Sequence, residues 1–295
     1  MLLNHTNSKI LSVIAPSSPV TDEEIDKARD YFKSLGFHVK TPNFLNKTHV
    51  KYWHNDSLRF DSLKESLYDP EVSIIVALRG GYGLTRLMPQ LLTLKKPFQK
   101  KIFLGFSDGT ALHIFLNQFW DWPSIHGPNA IQLSHNLVSL ESITSTIDLL
   151  TQGISKYTSP SIIPLNNKAK ELPNLTGKLI GGNLCILTTS LGTSWQTHSH
   201  DKILLFEDCN EKGYQIDRML NHLIQSNFFV NAKAVLLGDF TEGKEDDGTS
   251  TVEKALEGFI ETIDIPIFRI TNCGHSKNNF PILLNIDLKF PINHN

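Results

Sequence analysis

Apolar residues in the first half of the chain gather into short unbroken runs, separated by stretches with a helical period. "KILSVIA" (9–15), "VSIIVAL" (72–78) and "IFLGF" (102–106) hardly alternate, the pattern of strands buried on both faces of a sheet. After the first run, Ile25, Ala28, Phe32 and Leu35 recur at spacings of three and four, which predicts a helix. Thr21 followed by Glu24 forms a capping box at its start, and Gly36 is its stop signal. "FHVKTP" then resumes an extended character, a second helix is predicted over about 57–68, and "DGTALHIFLNQF" continues as helix after residue 106. This strand–helix rhythm predicts a parallel sheet wrapped by helices, a Rossmann-like α/β domain.

From 151 to 176 the chain reads "TQGISKYTSPSIIPLNNKAKELPNLT", rich in proline, asparagine and serine and without a period. A boundary is expected there: an N-terminal domain over 1–155, a linker over 156–176 and a smaller C-terminal α/β domain over 177–295. In the last part, strands are predicted at "KILLFE" (202–207), "AKAVLLGDF" (232–240) and "IPIFRI" (265–270), with helices near 183–191, 214–226 and 251–262. No internal repeat or low-complexity tract is found.

The 295 residues carry a formal net charge of -2 with no long block of either sign, so nothing marks a nucleic-acid or anionic membrane surface. A small or peptide substrate is expected instead. The acidic "EGKEDDG" (242–248) reads as a solvated loop. Cys185, Cys209 and Cys273 are odd in number and widely spaced, without a CxxC pair, which argues against a disulfide framework or a cysteine zinc site. "HSHD" (198–201) reads as a polar turn rather than a metal site, and no metal or cofactor is expected. The N-terminus lacks the charge-then-apolar order of a secretory leader, and no apolar run is long enough to span a bilayer. A cytoplasmic protein is expected.

One run carries chemistry. "GFSDG" (105–109) matches GxSxG between a buried strand and a helix, the setting in which a tight turn presents a serine oxygen beside unpaired helix N–H groups. Such a turn is expected to need small neighbours at Gly105 and Gly109. The alternative is that Ser107 or Asp108 is an ordinary helix cap. A serine nucleophile needs a base, usually a histidine held in one tautomer by a carboxylate. His275, in a loop after a strand, is the best placed, with His126 and His113 as rivals; Glu207, ending "KILLFE" at the expected edge of the second domain, leads Asp208 and Glu211 as its partner. "RGGYG" (79–83) ends a buried strand, where Gly80 and its neighbours let backbone N–H groups approach a ligand; Arg79 can take a carboxylate or join a surface salt bridge. A thiol mechanism through Cys209 or Cys273 lacks this context. An α/β-hydrolase esterase shares the order serine, acid, histidine, yet its HGGG-type loop is absent.

Six segments in register, "ALRGGYGLTRLMPQL", "GFSDGTALH", "LTGKLIGGNLCILTTSLGT", "LLFEDCNEKGYQIDRML", "VLLGDF" and "CGH", resemble the LD-carboxypeptidase family, over about residues 9–285. That family includes murein tetrapeptide carboxypeptidases and microcin C immunity peptidases. The resemblance implies a serine peptidase with the triad Ser107, Glu207 and His275 drawn from two domains, usually homodimeric and without a metal. It implies hydrolysis of an L,D peptide bond, with release of terminal D-alanine from a murein tetrapeptide in cell-wall recycling as the leading activity and microcin-type immunity as the alternative. The backbone N–H groups of Asp108 and, by resemblance, Gly81 would form the oxyanion hole. Family members commonly carry a larger residue at the position of Gly109, "PFGHG" in place of "NCGHS", and a finish unlike "FPILLNIDLKF". A reading of another class also stands here: a non-catalytic protein in which "RGGYG" and the helix after Ser107 hold an anionic ligand.

Overall fold

The computed structural model describes residues 10–43, 45 and 56–294. Lys9, the first residue of the first predicted strand, and the N-terminal stretch read for a leader lie outside the described residues. In chain order the strands are β1 (Ile10–Ile14), β2 (His38–Lys40), β3 (Ile74–Ala77), β4 (Ile102–Gly105), β5 (Ser124–His126), β6 (Ile163–Pro164), β7 (Leu175–Asn183), β8 (Lys202–Cys209), β9 (Ala234–Thr241), β10 (Ile267–Arg269), β11 (Ile282–Leu284) and β12 (Asp287–Phe290). The chain divides into two compact units. The first runs to Tyr157 and takes back Asn279–Leu283; the second holds Thr158–Asn278 and the chain from Leu284 on.

In the first unit the strand order is β11-β5-β4-β3-β1-β2, and every neighbouring pair from β2 to β5 is parallel. β3 and β4 are buried at every position, as unbroken apolar runs demand of central strands covered on both faces. Helix α1 (Asp22–Ser34) buries Ile25, Ala28 and Phe32, and its capping box is formed: the Glu24 N–H donates to Thr21 Oγ1 at 3.2 Å and the Thr21 N–H to Glu24 Oε2 at 2.8 Å. Leu35, expected on the apolar face, is the C-cap residue and is 36% exposed, because the helix has ended before it. Helices α2 (Asp56–Tyr68), α3 (Leu84–Leu91), α4 (Thr110–Ile114), α5 (Ala130–Ser134) and α6 (Leu140–Gln152) complete this unit. The single helix expected over "DGTALHIFLNQF" is three pieces: a 3₁₀ turn at Ser107–Gly109, α4, and a π turn at Phe115–Phe119.

In the second unit the order is β12-β7-β8-β9-β10-β6; β7 to β10 are mutually parallel and both edge strands antiparallel. Its helices are α7 (Asn167–Lys170), α8 (Leu184–Ser190), α9 (Gly213–Gln225) and α10 (Val252–Thr262). Within 156–176, expected as linker, β6 pairs with β10 and α7 follows, so residues 158–176 are built into the second unit. β7 is absent from the sequence expectation because its glycines disguise it. A Cβ on Gly181, at φ 119°, would stand 2.3 Å from the Leu205 carbonyl oxygen, so glycine permits a close strand approach. The unusual "FPILLNIDLKF" finish supplies β11 to the first sheet and β12 to the second. Among the described residues, no helix is long and apolar enough to cross a membrane.

Removing the N-cap hydroxyl of α1 in Thr21→Ala takes away the acceptor for the Glu24 N–H. A loss of about 1 kcal/mol in stability is expected by urea denaturation, and an unchanged midpoint would show the capping box to be idle.

Candidate active site

β4 ends at Gly105, Phe106 is extended (φ -158°, ψ -171°), and Ser107 then turns to φ 59° before the helical residues begin. A serine in the left-handed region is strained by about 1–3 kcal/mol. The abrupt reversal half-exposes its side chain at the carboxyl end of the parallel sheet, where open α/β sheets take ligands. The first bond inside the turn runs from the Gly109 N–H to Phe106 O at 2.9 Å, so the N–H groups of Ser107 and Asp108 precede it. Gly80 faces this corner: a Cβ there would lie 3.0 Å from Ser107 Cβ and 3.1 Å from its Oγ. Only a residue without a side chain leaves the serine oxygen open on that flank.

The corner is tied down by its own next residue. Asp108 is 1% exposed, and its Oδ2 accepts from Ser17 Oγ at 2.6 Å and from the Leu84 N–H at 2.9 Å. Gly83, the N-cap of α3, offers no side-chain cap, so Asp108 supplies that acceptor from another element. Burial raises the pKa of this carboxyl, and its bonds to Ser17, Leu84 and Gly83 oppose the shift. The same loop is clasped by buried Arg59, which donates to Pro16 O and Ser17 O and pairs with Asp56. Gly81 sits at φ 111°, where a Cβ would stand 1.8 Å from Ser18 Oγ. Neither Ser17, Ser18 nor Arg59 was expected from the sequence; the available signal was "APSS", a polar run at the carboxyl end of the first strand.

Two expectations at this corner are corrected or refined. Gly105 needs to be small, since a Cβ would come within 2.7 Å of the Phe103 ring, but Gly109 does not. At φ -55° a Cβ on Gly109 would touch Phe103 at an ordinary 3.5 Å. Arg79 is 45% exposed, 3.6 Å from Glu24 Oε1, and donates to Pro19 O.

The rival histidines are internal. His113 is fully buried; its Nε2 meets Gly105 O at 2.9 Å and its Nδ1 meets Ser124 Oγ at 2.7 Å. A carbonyl only accepts, so Nε2 carries the proton and Nδ1 accepts from the serine hydroxyl. Burial, with His126 nearby, pushes its pKa down to about 3, which keeps it neutral as a brace for the strand end. His126 is also fully buried, opposite Gly105 in the β4–β5 register and 6.0 Å from the Phe106 ring.

In the second unit Glu207 lies near the carboxyl end of β8. It is 0% exposed and sits in an interior strand, not at a domain edge as expected, because β8 continues through Cys209. Its Oε2 is 2.7 Å from His275 Nδ1. Burial pushes the imidazole toward its neutral form, but the Glu207 charge and hydrogen bonds to Cys209 and Glu207 prevail and raise its pKa. Gly274, at φ 139°, brings the loop against the carboxylate; a Cβ there would be 3.0 Å from Glu207 Oε2. Asp208 points into different work: Asn183 Nδ2 donates to its Oδ1, and the Cys185 N–H at the start of α8 to its Oδ2. Burial, then the Glu207 charge, lift its pKa to about 7. Glu211 lies in the turn beyond the end of β8. Cys273 is fully buried with its thiol pushed well up by burial, the setting of an inert packing cysteine. Among the described residues, no cluster of three His, Cys, Asp or Glu side chains could hold a metal ion.

A serine on a strand–turn–helix corner is the setting of a nucleophile, and a buried carboxylate bonded to an imidazole is the setting of an oriented base. Residues 11–127 match the LD-carboxypeptidase N-terminal domain and residues 176–290 the LD-carboxypeptidase C-terminal domain. A Bacillus subtilis protein named a probable murein peptide carboxypeptidase is 32% identical over 275 residues, 90% of this chain and 83% of that protein. The crystal structure of muramoyltetrapeptide carboxypeptidase from Oxalobacter formigenes superposes with a TM-score of 0.76 at 29% identity, covering 93% of this chain and 92% of that one. An MccF-like protein from Streptococcus pneumoniae, in complex with AMP, gives a TM-score of 0.79 at 21% identity, covering 96% of each chain. The chain belongs to the LD-carboxypeptidase family, and it is a hydrolase of the serine-peptidase type.

The two glycines predict opposite outcomes. Gly109→Ala is expected to leave stability unchanged or raise it by up to about 1 kcal/mol, whereas Gly81→Ala should lose about 1–3 kcal/mol. Urea midpoints of the two variants read this directly, and equal effects would contradict the geometry.

Proposed function

We propose that the protein is a serine LD-carboxypeptidase that releases terminal D-alanine from murein tetrapeptide. The observation that carries this reading is the 2.7 Å bond between buried Glu207 and His275 Nδ1, which orients the ring as the base of a serine triad requires. Ser107 Oγ attacks the carbonyl of the L,D bond while His275 Nε2 takes its proton. The N–H groups of Asp108 and Gly81 meet the oxyanion, each worth roughly 3 kcal/mol to the transition state. The C–N bond breaks as His275 returns the proton to the departing D-alanine amine. Water, deprotonated by His275, then cleaves the acyl ester and frees Ser107. Arg79, with the Gly80 backbone, takes the terminal carboxylate of the substrate in place of Glu24.

Relatives named for murein peptides at 29–32% identity favour that substrate, whereas the MccF-like neighbour at 21% speaks for the fold. A cytoplasmic homodimer completes the proposal; Cys185, Cys209 and Cys273 are all free thiols, as a reducing compartment requires.

Incubation with L-Ala-D-Glu-meso-diaminopimelate-D-Ala should yield D-alanine, and Ser107→Ala should lower the rate by roughly 10³-fold or more. Wild-type release by that variant would refute the nucleophile. No release by the wild type, with cleavage of an aminoacyl-sulfamoyl adenosine instead, would transfer the chemistry to the microcin-type substrate; binding without turnover of either would favour a ligand-binding protein.

The base must be neutral to act. Because Glu207 raises the His275 pKa, kcat/KM should fall with decreasing pH through a value above the ordinary imidazole range of about 6.5. Glu207→Gln should move that limb downward while lowering the rate, and an unmoved limb would separate the ionisation from His275.

A further inference from the structure

The "VLLGDF" segment was singled out in the sequence without a role, and it forms most of β9. Its aspartate lies where the His275 loop begins. The Ser276 hydroxyl donates to Asp239 Oδ2 at 2.7 Å, and the backbone N–H groups of Asn272 and Cys273 also donate to the Asp239 carboxylate. In return the Asp239 N–H donates to Cys273 O at 2.8 Å. Donors on both sides of the Gly274–His275 peptide therefore converge on one side chain. Ser276 Oγ also lies 2.6 Å from the Asn278 carbonyl oxygen, a second acceptor for its one hydrogen.

The preceding glycine completes the arrangement. A Cβ on Gly238 would stand 2.6 Å from Cys273 O and 3.1 Å from Glu207 Cβ, so its absence lets the loop settle onto the sheet beside the acid. Gly274 makes the matching approach from the loop, with Asp239 O 3.1 Å from where its Cβ would be. Asn272 turns at φ 61°, a conformation asparagine adopts more readily than most residues. Each feature shortens the path between β9 and the loop, and none is needed to hold the sheet, whose β8–β9–β10 ladder is formed by backbone bonds.

We infer that Asp239 is a positioning residue for the hydrolytic reaction: its carboxylate clamps residues 272–276 and thereby fixes the imidazole of His275 against Glu207. The inference rests on His275 being the base of the proposed function. Asp239 touches neither substrate nor reacting atoms in this role; it acts through the loop. Burial raises its pKa, the bonds from Ser276, Asn272 and Cys273 oppose that, and the Glu207 charge adds to the rise. Glu207 and Cys209 from β8 act on His275, and Glu207 acts in turn on Asp239 from β9.

The test compares Asp239→Ala, Asp239→Asn and Ser276→Ala in the full chain, by D-alanine release and by NMR titration of His275 in the ligand-free protein. For a folded Asp239→Ala, kcat should fall about 10²-fold with KM within about two-fold, since a displaced catalytic group costs rate rather than binding. The His275 titration should move down toward the ordinary imidazole range as its bond to Glu207 loosens. Asp239→Asn retains an acceptor for the backbone donors and should recover kcat to within about ten-fold of wild type. A wild-type kcat and His275 titration in Asp239→Ala would overturn the inference, as would a lost kcat with the titration unmoved. If Asp239→Ala does not fold, the other two variants decide: a fall in kcat with a downward His275 shift supports the clamp, and wild-type values in both overturn it. Undiminished activity in Ser107→Ala or His275→Ala would sink the proposed function instead, leaving the His275 titration to judge Asp239 alone.

Discussion

Ser107 holds its backbone at φ 59°, a conformation that side chains resist, and the first unit is arranged to keep it there. The strand before it is fully buried; Gly105, ending that strand, packs so close that a Cβ would come within 2.7 Å of the Phe103 ring and force it to move. His113 and the Gly127 N–H both donate to the Gly105 carbonyl, which fixes the direction in which the chain leaves the sheet. Asp108, one residue after the serine, reaches back to Ser17 and Leu84 and so binds three separate segments into one corner. Strain in the turn is tolerated because the surroundings over-determine it. Its benefit is a half-exposed serine at the carboxyl end of a buried strand, at the start of the turn.

The second unit solves a different problem, that of keeping a carboxylate out of water. Glu207 is completely buried, and a buried charge is tolerated only when paired and hydrogen-bonded. His275 provides the pairing at 2.7 Å, so the acid fixes the ring and the ring stabilises the acid. Neighbouring Asp208 has both oxygens engaged at the start of α8, which leaves Glu207 as the carboxylate directed at the imidazole. Glycines at 238 and 274 bring strand and loop into contact with this pair, so the motif residues around the histidine have a steric reason as well as a chemical one.

Much of this was legible from residue types and spacing. β3 and β4 announced themselves as unbroken apolar runs, α1 through its capping box, and the serine corner through two glycines between a strand and a helix. The rest depended on contacts that no local period records. Ser17 and Asp108 are 91 positions apart, and Ser276 and Asp239 are 37, so neither bond could be anticipated from its neighbours in sequence. β7 was hidden by glycines that normally weaken strands and here permit close packing, and β6 lay inside a proline- and asparagine-rich stretch that read as linker. Gly109 looked obligatory by analogy with Gly105, and only the distance to Phe103 separates the two. β11 and β12 form only against partners distant in sequence, β5 and β7.

The central claim is that the oxygen of Ser107 becomes covalently bonded to the substrate acyl group. Mass spectrometry of the protein after millisecond acid quench with murein tetrapeptide reads this directly. The hydrolytic mechanism predicts a transient adduct on the peptide containing Ser107, with an added mass equal to that of the substrate less one free D-alanine, which carries away the serine proton. An adduct on any other residue, or product formed at full rate with Ser107 never modified, would contradict it.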